Sequence, residues 1–178
     1  MKTKYTFAIF AVLVAACVLA AAQSQDASPK AVERITKEVR HELVILPYLD
    51  VFDNLAYKVD GYNVTLYGQV TSDRLKSDAG KVVKNIEGVE KVENQIEVLP
   101  VSPMDDRLRS RLYQAIYGYG PFKKYEMPVM KPIRIVVKNG NVTLEGVVDN
   151  QGDKNLVGMR ANGVPGIFSV NNNLVVVK

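Results

Sequence analysis

The chain repeats itself, and the repeat restricts it to architectures built from a doubled unit. Residues 61–100 set above residues 139–178 align without a gap. Asn63-Val64-Thr65-Leu66-Tyr67-Gly68-Gln69-Val70 lies over Asn141-Val142-Thr143-Leu144-Glu145-Gly146-Val147-Val148. Farther on, Gly88-Val89-Glu90-Lys91-Val92-Glu93-Asn94 lies over Gly166-Ile167-Phe168-Ser169-Val170-Asn171-Asn172, and Lys76 and Gly80 meet Lys154 and Gly158. About a dozen of the forty positions are identical in this one register, too many for chance.

The pattern within each copy is readable as elements. Ser28-Pro29 and Ser102-Pro103 each precede apolar residues four apart: Ile35, Val39 and Leu43 in the first copy, Leu108, Leu112 and Ile116 in the second. Serine suits an N-cap and proline the first helical position, so each copy is expected to open with a one-striped helix. Leu55, Tyr57 and Val59 then alternate into a turn at Asp60-Gly61 and out through Val64, Leu66, Gly68 and Val70. The second copy repeats this with Ile133, Ile135 and Val137, Asn139-Gly140, and Val142, Leu144, Gly146 and Val148. Such runs joined by Asp-Gly or Asn-Gly predict a hairpin. Leu75, Ala79, Val82, Val83 and Ile86 predict a second helix, ended by Gly88, and Val92, Ile96 and Val98 a last strand.

The expected fold class is therefore α+β: two tandem αββαβ modules, each a three-stranded sheet with both helices on one face. Residues 29–99 form the first module, 100–103 a proline-bearing linker and 104–178 the second. A unit of about 70 residues buries a limited core, so the copies are expected to lean on each other. Gly68 and Gly146, inside strands, are expected to mark packing beneath a helix. Gly152, Gly158 and Gly163 crowd the second helix of the later copy, which is expected to be short or frayed.

These residues resemble the BON domain family. The carriers are Asn-Val-Thr-Leu-x-Gly-x-Val, a helix, then Gly-Val-x-x-Val-x-Asn-x-Ile-x-Val, present twice and together spanning nearly all of the chain after its leader. The layout is similar to exported double-BON proteins of the Gram-negative periplasm. The resemblance implies a non-enzymatic role in envelope integrity and osmotic-stress tolerance, and contact with phospholipid membranes. It brings no shared catalytic residues and no cofactor.

The N-terminus bears on location. Lys2 and Lys4 precede an apolar run from Tyr5 to Ala22 that ends in Ala20-Ala21-Ala22 before polar Gln23-Ser24-Gln25-Asp26. That layout predicts a signal peptide over residues 1–22, a polar lead over 23–28, and periplasmic export. Two other fates are open: retention as an anchoring helix, since the run is about as long as a bilayer needs, and acylation at Cys17, because Val14-Ala15-Ala16-Cys17 resembles a lipobox. Removing Lys2 and Lys4 would take the formal charge from +4 to about +2, which makes no case for nucleic acid.

Enzyme chemistry has little raw material. His41 is the only histidine and reads as a solvated helix residue, and Cys17 is the only cysteine. No nucleophile elbow or phosphate loop occurs, and Asp105-Asp106 suits the first turn of a helix. One segment stands out. The second copy has about five extra residues between its first helix and its hairpin, and there Tyr117, Tyr119, Phe122, Lys123, Lys124, Tyr125, Met127 and Lys131 follow Arg107 and Arg111. Aromatic and basic residues with apolar stems favour a membrane–water boundary. These ten residues are the candidate contacts to an anionic phospholipid surface; the other reading is a loop folded over its own sheet. A rival to lipid binding is a chaperone-like module that holds envelope proteins through strand edges or this loop.

Overall fold

The computed structural model describes residues 28–128 and 130–177. The segment expected to be cleaved, retained as an anchor or acylated at Cys17 lies outside the described residues. None of the described helices is long and apolar enough to cross a membrane.

The first module opens with α1 (Pro29–Val44), where the Ser28 hydroxyl accepts from the Ala31 N–H and Ile35, Val39 and Leu43 form the buried stripe. β1 (Asn54–Asp60) and β2 (Asn63–Val70) pair as an antiparallel hairpin, followed by α2 (Asp73–Lys84). The chain returns beside β2 in two short parallel pieces, β3 (Lys91–Asn94) and β4 (Glu97–Val98). The expected third strand is thus broken in its middle.

The second module repeats the plan with α3 (Pro103–Tyr117), a short α4 (Lys123–Glu126), β5 (Ile133–Lys138), β6 (Asn141–Val148), α5 (Gln151–Asn162), β7 (Ser169–Asn172) and β8 (Val175–Val176). β6 is antiparallel to β5 and parallel to β7 and β8. In both sheets alternate residues of the central strand, Val64, Leu66 and Val70 or Val142, Leu144 and Val148, point into the helices and are buried.

Two matched residue sets explain the break and the repeat identities together. Asn94 Nδ2 donates to the Lys76 carbonyl at 2.8 Å, while its Oδ1 accepts from the Ile96 N–H at 3.2 Å. Asn172 does the same with Lys154, at 2.8 Å, and Leu174, at 3.3 Å. Each asparagine thereby ties a helix to the two halves of the last strand. A Cβ on Gly80 or Gly158 would come within 2.8 Å of that asparagine's amide nitrogen, which is why those helix positions are glycine.

Three expectations change. Gly68 and Gly146 do not make room for a helix: they have φ of 114° and 109°, and a Cβ there would lie 2.0 and 1.9 Å from the Asn54 and Pro132 carbonyl oxygens of the neighbouring strand segments. The first hairpin turns on Gly61-Tyr62, one residue later than expected, because Asp60 already pairs with Asn63. Helix α5 is not short. It has 12 residues, as α2 does, because Gly152 sits exposed in the first turn, Gly158 serves the asparagine contact and Gly163 is the C-cap.

The modules lean on each other through the loop before β1. Val51 is buried in the second module's core, and its carbonyl accepts from the Ile135 N–H at 2.9 Å, covering part of the β5 edge. Arg134 Nη1 donates to the Asp50 carbonyl at 2.9 Å, and Glu97 pairs with Lys138. The fully buried Asp53 carboxylate fixes this loop by accepting from the Thr71 N–H and hydroxyl at 2.7 and 2.9 Å.

Since Val157 and Ala161 are as buried as Ala79 and Val83, amide exchange over Gln151–Asn162 should be as slow as over Asp73–Lys84. Markedly faster exchange in the later helix, read by hydrogen–deuterium mass spectrometry, would mean its glycines outweigh this packing.

Candidate functional site

The aromatic segment after α3 is built as a lid on its own module. Asp153 occupies the place on α5 that Leu75 occupies on α2, so the second core lacks one apolar side chain. Tyr125 fills the gap. It is 4% exposed, its hydroxyl donates to Asp153 Oδ2 at 2.5 Å, and it accepts from the Asp149 N–H at 2.9 Å. Phe122 is fully buried, with its ring 5.9 Å from Tyr125 and 5.4 Å from Tyr119. Tyr117 is fully buried as well; its hydroxyl donates to the Ile133 carbonyl at 2.6 Å, and burial pushes its pKa above the ordinary tyrosine value.

The lysines of this segment are matched by acids. Lys124 lies 2.7 Å from both Asp149 and Asp153, and these bonds raise its pKa. Lys123 lies 2.7 Å from Glu126. The Lys124 ammonium and the Tyr125 hydroxyl hold the Asp153 carboxyl below its usual range. A depressed carboxyl stabilises the fold above its unfolded pKa, and that contribution disappears as pH falls through the lower folded value.

The ten candidate contacts therefore separate. Tyr117, Phe122 and Tyr125 face the core, and as placed they cannot reach a membrane surface. Lys123 and Lys124 are exposed but paired. Tyr119 is half-buried beneath the Arg160 guanidinium, 4.1 Å from its ring centre. Lys131 is half-buried in a cleft shared with Asp50 and Phe52 of the first module. Met127 is 83% exposed. Arg107 and Arg111 stand exposed on α3, with no carboxylate within ion-pair distance among the described residues.

Arg111 lines a groove of about 740 Å³ between α3 and α5. Its walls include Gln114, Leu156, Met159, Arg160 and Val164. Arg111 Nη1 reaches the Pro165 carbonyl at 3.4 Å, and Arg160 donates from Nε to the Ala115 carbonyl. Both guanidiniums keep further donors for an anion. Arg160 and Met159 went unnoticed in the sequence, although the gapless alignment sets Arg160 against the apolar Val82.

The matching groove of the first module has the opposite character. Glu38, Glu42 and Glu87 line it, with Val82 and Ile86. Counted from the buried triplets, Glu38 stands where Arg111 does. No group of three or more His, Cys, Asp or Glu able to hold a metal occurs among the described residues.

Two αββαβ modules in tandem, with matched turn glycines and strand-break asparagines, define a doubled small α+β domain. The chain belongs to the BON domain family, which matches at residues 31–100 and again at 105–178. That family is linked to phospholipid membranes and osmotic stress and is in general non-catalytic. No curated protein matches the chain. Among solved structures it is similar to the C-terminal domain of CdsD, described as the structural protein of the type III secretion system of Chlamydia trachomatis. That likeness has 12% identity, covers 80% of this chain and 96% of that one, and has a TM-score of 0.33. A further CdsD structure gives 14% identity, 81% and 92% coverage and a TM-score of 0.29. Values this low carry no argument about shape or role.

Tyr125→Phe removes a hydroxyl that satisfies both Asp153 and the Asp149 N–H. Urea unfolding should register a loss of about 1–3 kcal/mol, whereas an unchanged midpoint would mean that water replaces the hydroxyl without cost.

Proposed function

We infer that this chain is a non-enzymatic protein of the periplasm that contacts anionic phospholipid surfaces through the α3–α5 face of its second module, and so supports envelope integrity under osmotic stress. The observation that carries the reading is the contrast between the two grooves: Arg111 and Arg160 line the later one where the earlier has Glu38, which Arg34 pairs at 2.8 Å, and Val82, with Glu42 and Glu87 beside them. A contact required only for folding would not need the charge to reverse between copies. The first module's acidic groove would be repelled by the same surface, so the pair of modules would approach a membrane in one orientation.

The chemistry suits a lipid headgroup region. Arg111 and Arg160 can each offer several N–H donors to phosphate oxygens, and Arg107 adds charge on the same helix. Met159, 63% exposed, and Leu156 supply apolar contact beside them. Each basic residue near anionic lipid contributes about 1 kcal/mol. Salt should weaken the attraction, since the Debye length is about 8 Å at physiological ionic strength.

The test is co-sedimentation with vesicles of phosphatidylglycerol and phosphatidylethanolamine. Arg107→Glu combined with Arg111→Glu should lower affinity about tenfold or more, since two favourable charges become repulsive. Glu38→Gln should leave binding unchanged or slightly stronger, and circular dichroism should find both proteins folded. Undiminished binding by the double variant at low salt would sink the reading. Capture of envelope polypeptides with no vesicle binding would favour the chaperone-like alternative instead.

A further inference from the structure

The repeat also identifies a surface that one copy covers and the other leaves bare. Each sheet has a face turned away from its helices. On the first module that face carries Gln69, Glu97 and Leu99 at its end, because Gln69 pairs with Glu97 and the Leu99 N–H bonds to Val70. All three residues line the cleft against Val136, Lys138 and Thr143 of the second module. Leu99 and Val136 are 3% and 4% exposed although neither belongs to a module's own core, and Glu97 pairs with Lys138 across the seam. In this fold, then, the end of the open face is a docking surface.

The second module has Val147, Val175 and Val177 at those three positions. Val147 pairs with Val175, and the adjacent Val148 and Val176 point to the helices, so these valines lie on the open face. They are 43%, 61% and 58% exposed. The glutamate that would keep such an edge solvated is missing, and a valine-rich, uncharged edge strand invites association. The surface that receives the first module's patch is Val136, Lys138 and Thr143; its counterpart on the first module is Lys58, Asp60 and Thr65. Setting Lys58 and Asp60 against bare valines would desolvate charges without partners. A head-to-tail repetition of the internal seam is therefore disfavoured. Three uncharged valines are complementary to themselves, which is the requirement of a two-fold contact.

We propose that the chain self-associates reversibly through this patch, with Val147, Val175 and Val177 of one copy packed against the same residues of a second. The contact is small, so the dimer is weak and concentration-dependent. It lies on the open face of the sheet, opposite the helices that form the α3–α5 groove, and it does not rest on the lipid reading.

Sedimentation equilibrium of the protein purified after expression of the full chain, over a wide concentration range, tests this. The wild type should follow a monomer–dimer equilibrium. Val175→Glu and Val147→Gln install the residues that the first module already folds with at those positions. Val175→Glu should raise the dimer dissociation constant about a hundredfold, because two carboxylates would be buried without partners; Val147→Gln should weaken it less. Both should keep the parent circular dichroism, and both should still bind anionic vesicles. A wild type that stays monomeric throughout, or a dimer indifferent to Val175→Glu, overturns the proposal. A monomeric wild type whose vesicle binding depends on Val175 would overturn it too, and would give the patch to the membrane.

Discussion

Each module depends on its central strand, the one strand bonded on both sides. β2 and β6 take an antiparallel partner on one edge and a broken parallel partner on the other, so both registers are set against the same backbone. Because strand side chains alternate, a slip of one residue would turn Val64, Leu66 and Val70, or their counterparts, out of the core. Gly68 and Gly146 let the neighbouring carbonyl approach closer than any side chain would allow. Asn94 and Asn172 fix where the parallel strand breaks and how the preceding helix lies on it. The positions kept identical between the copies are largely those that serve this arrangement.

The copies differ where the same position faces a different neighbour. Leu75 fills its own core, whereas Asp153 leaves a gap that an inserted Tyr125 closes from above. Gln69, Glu97 and Leu99 face the other module, whereas three valines face outward. Glu38 and Val82 flank an acidic groove, whereas Arg111 and Arg160 make a cationic one. A doubled fold can thus give one copy to assembly and the other to a surface, at no cost to the shared strand geometry.

Much of this was legible in the amino-acid order. Periods of four and two placed the helices and strands, and the repeat distinguished structural glycines and asparagines from incidental ones. The segment from Tyr117 to Lys131 was not legible in the same way. Its aromatics have the composition of an interfacial loop, and only the contact between Tyr125 and Asp153, far apart in the chain, makes them a lid. Lys123 and Lys124 read as free charges because Asp149 and Asp153 lie in another element. The persistence of α5 was hidden for a related reason: helix propensity counts Gly158 as a loss, while in the fold it makes room for Asn172. Arg160 could have been found by asking which polar residue stands where the first copy has an apolar one.

Which face of the molecule meets anionic lipid is measured directly by residue-resolved NMR with a paramagnetic lipid in phosphatidylglycerol-containing bicelles. Line broadening should centre on Ser110 to Ala115 and Leu156 to Pro165, with Glu38, Glu42 and Glu87 of the first module unaffected. Broadening centred on the first module's helices, or none in the α3–α5 groove, would contradict a lipid contact there.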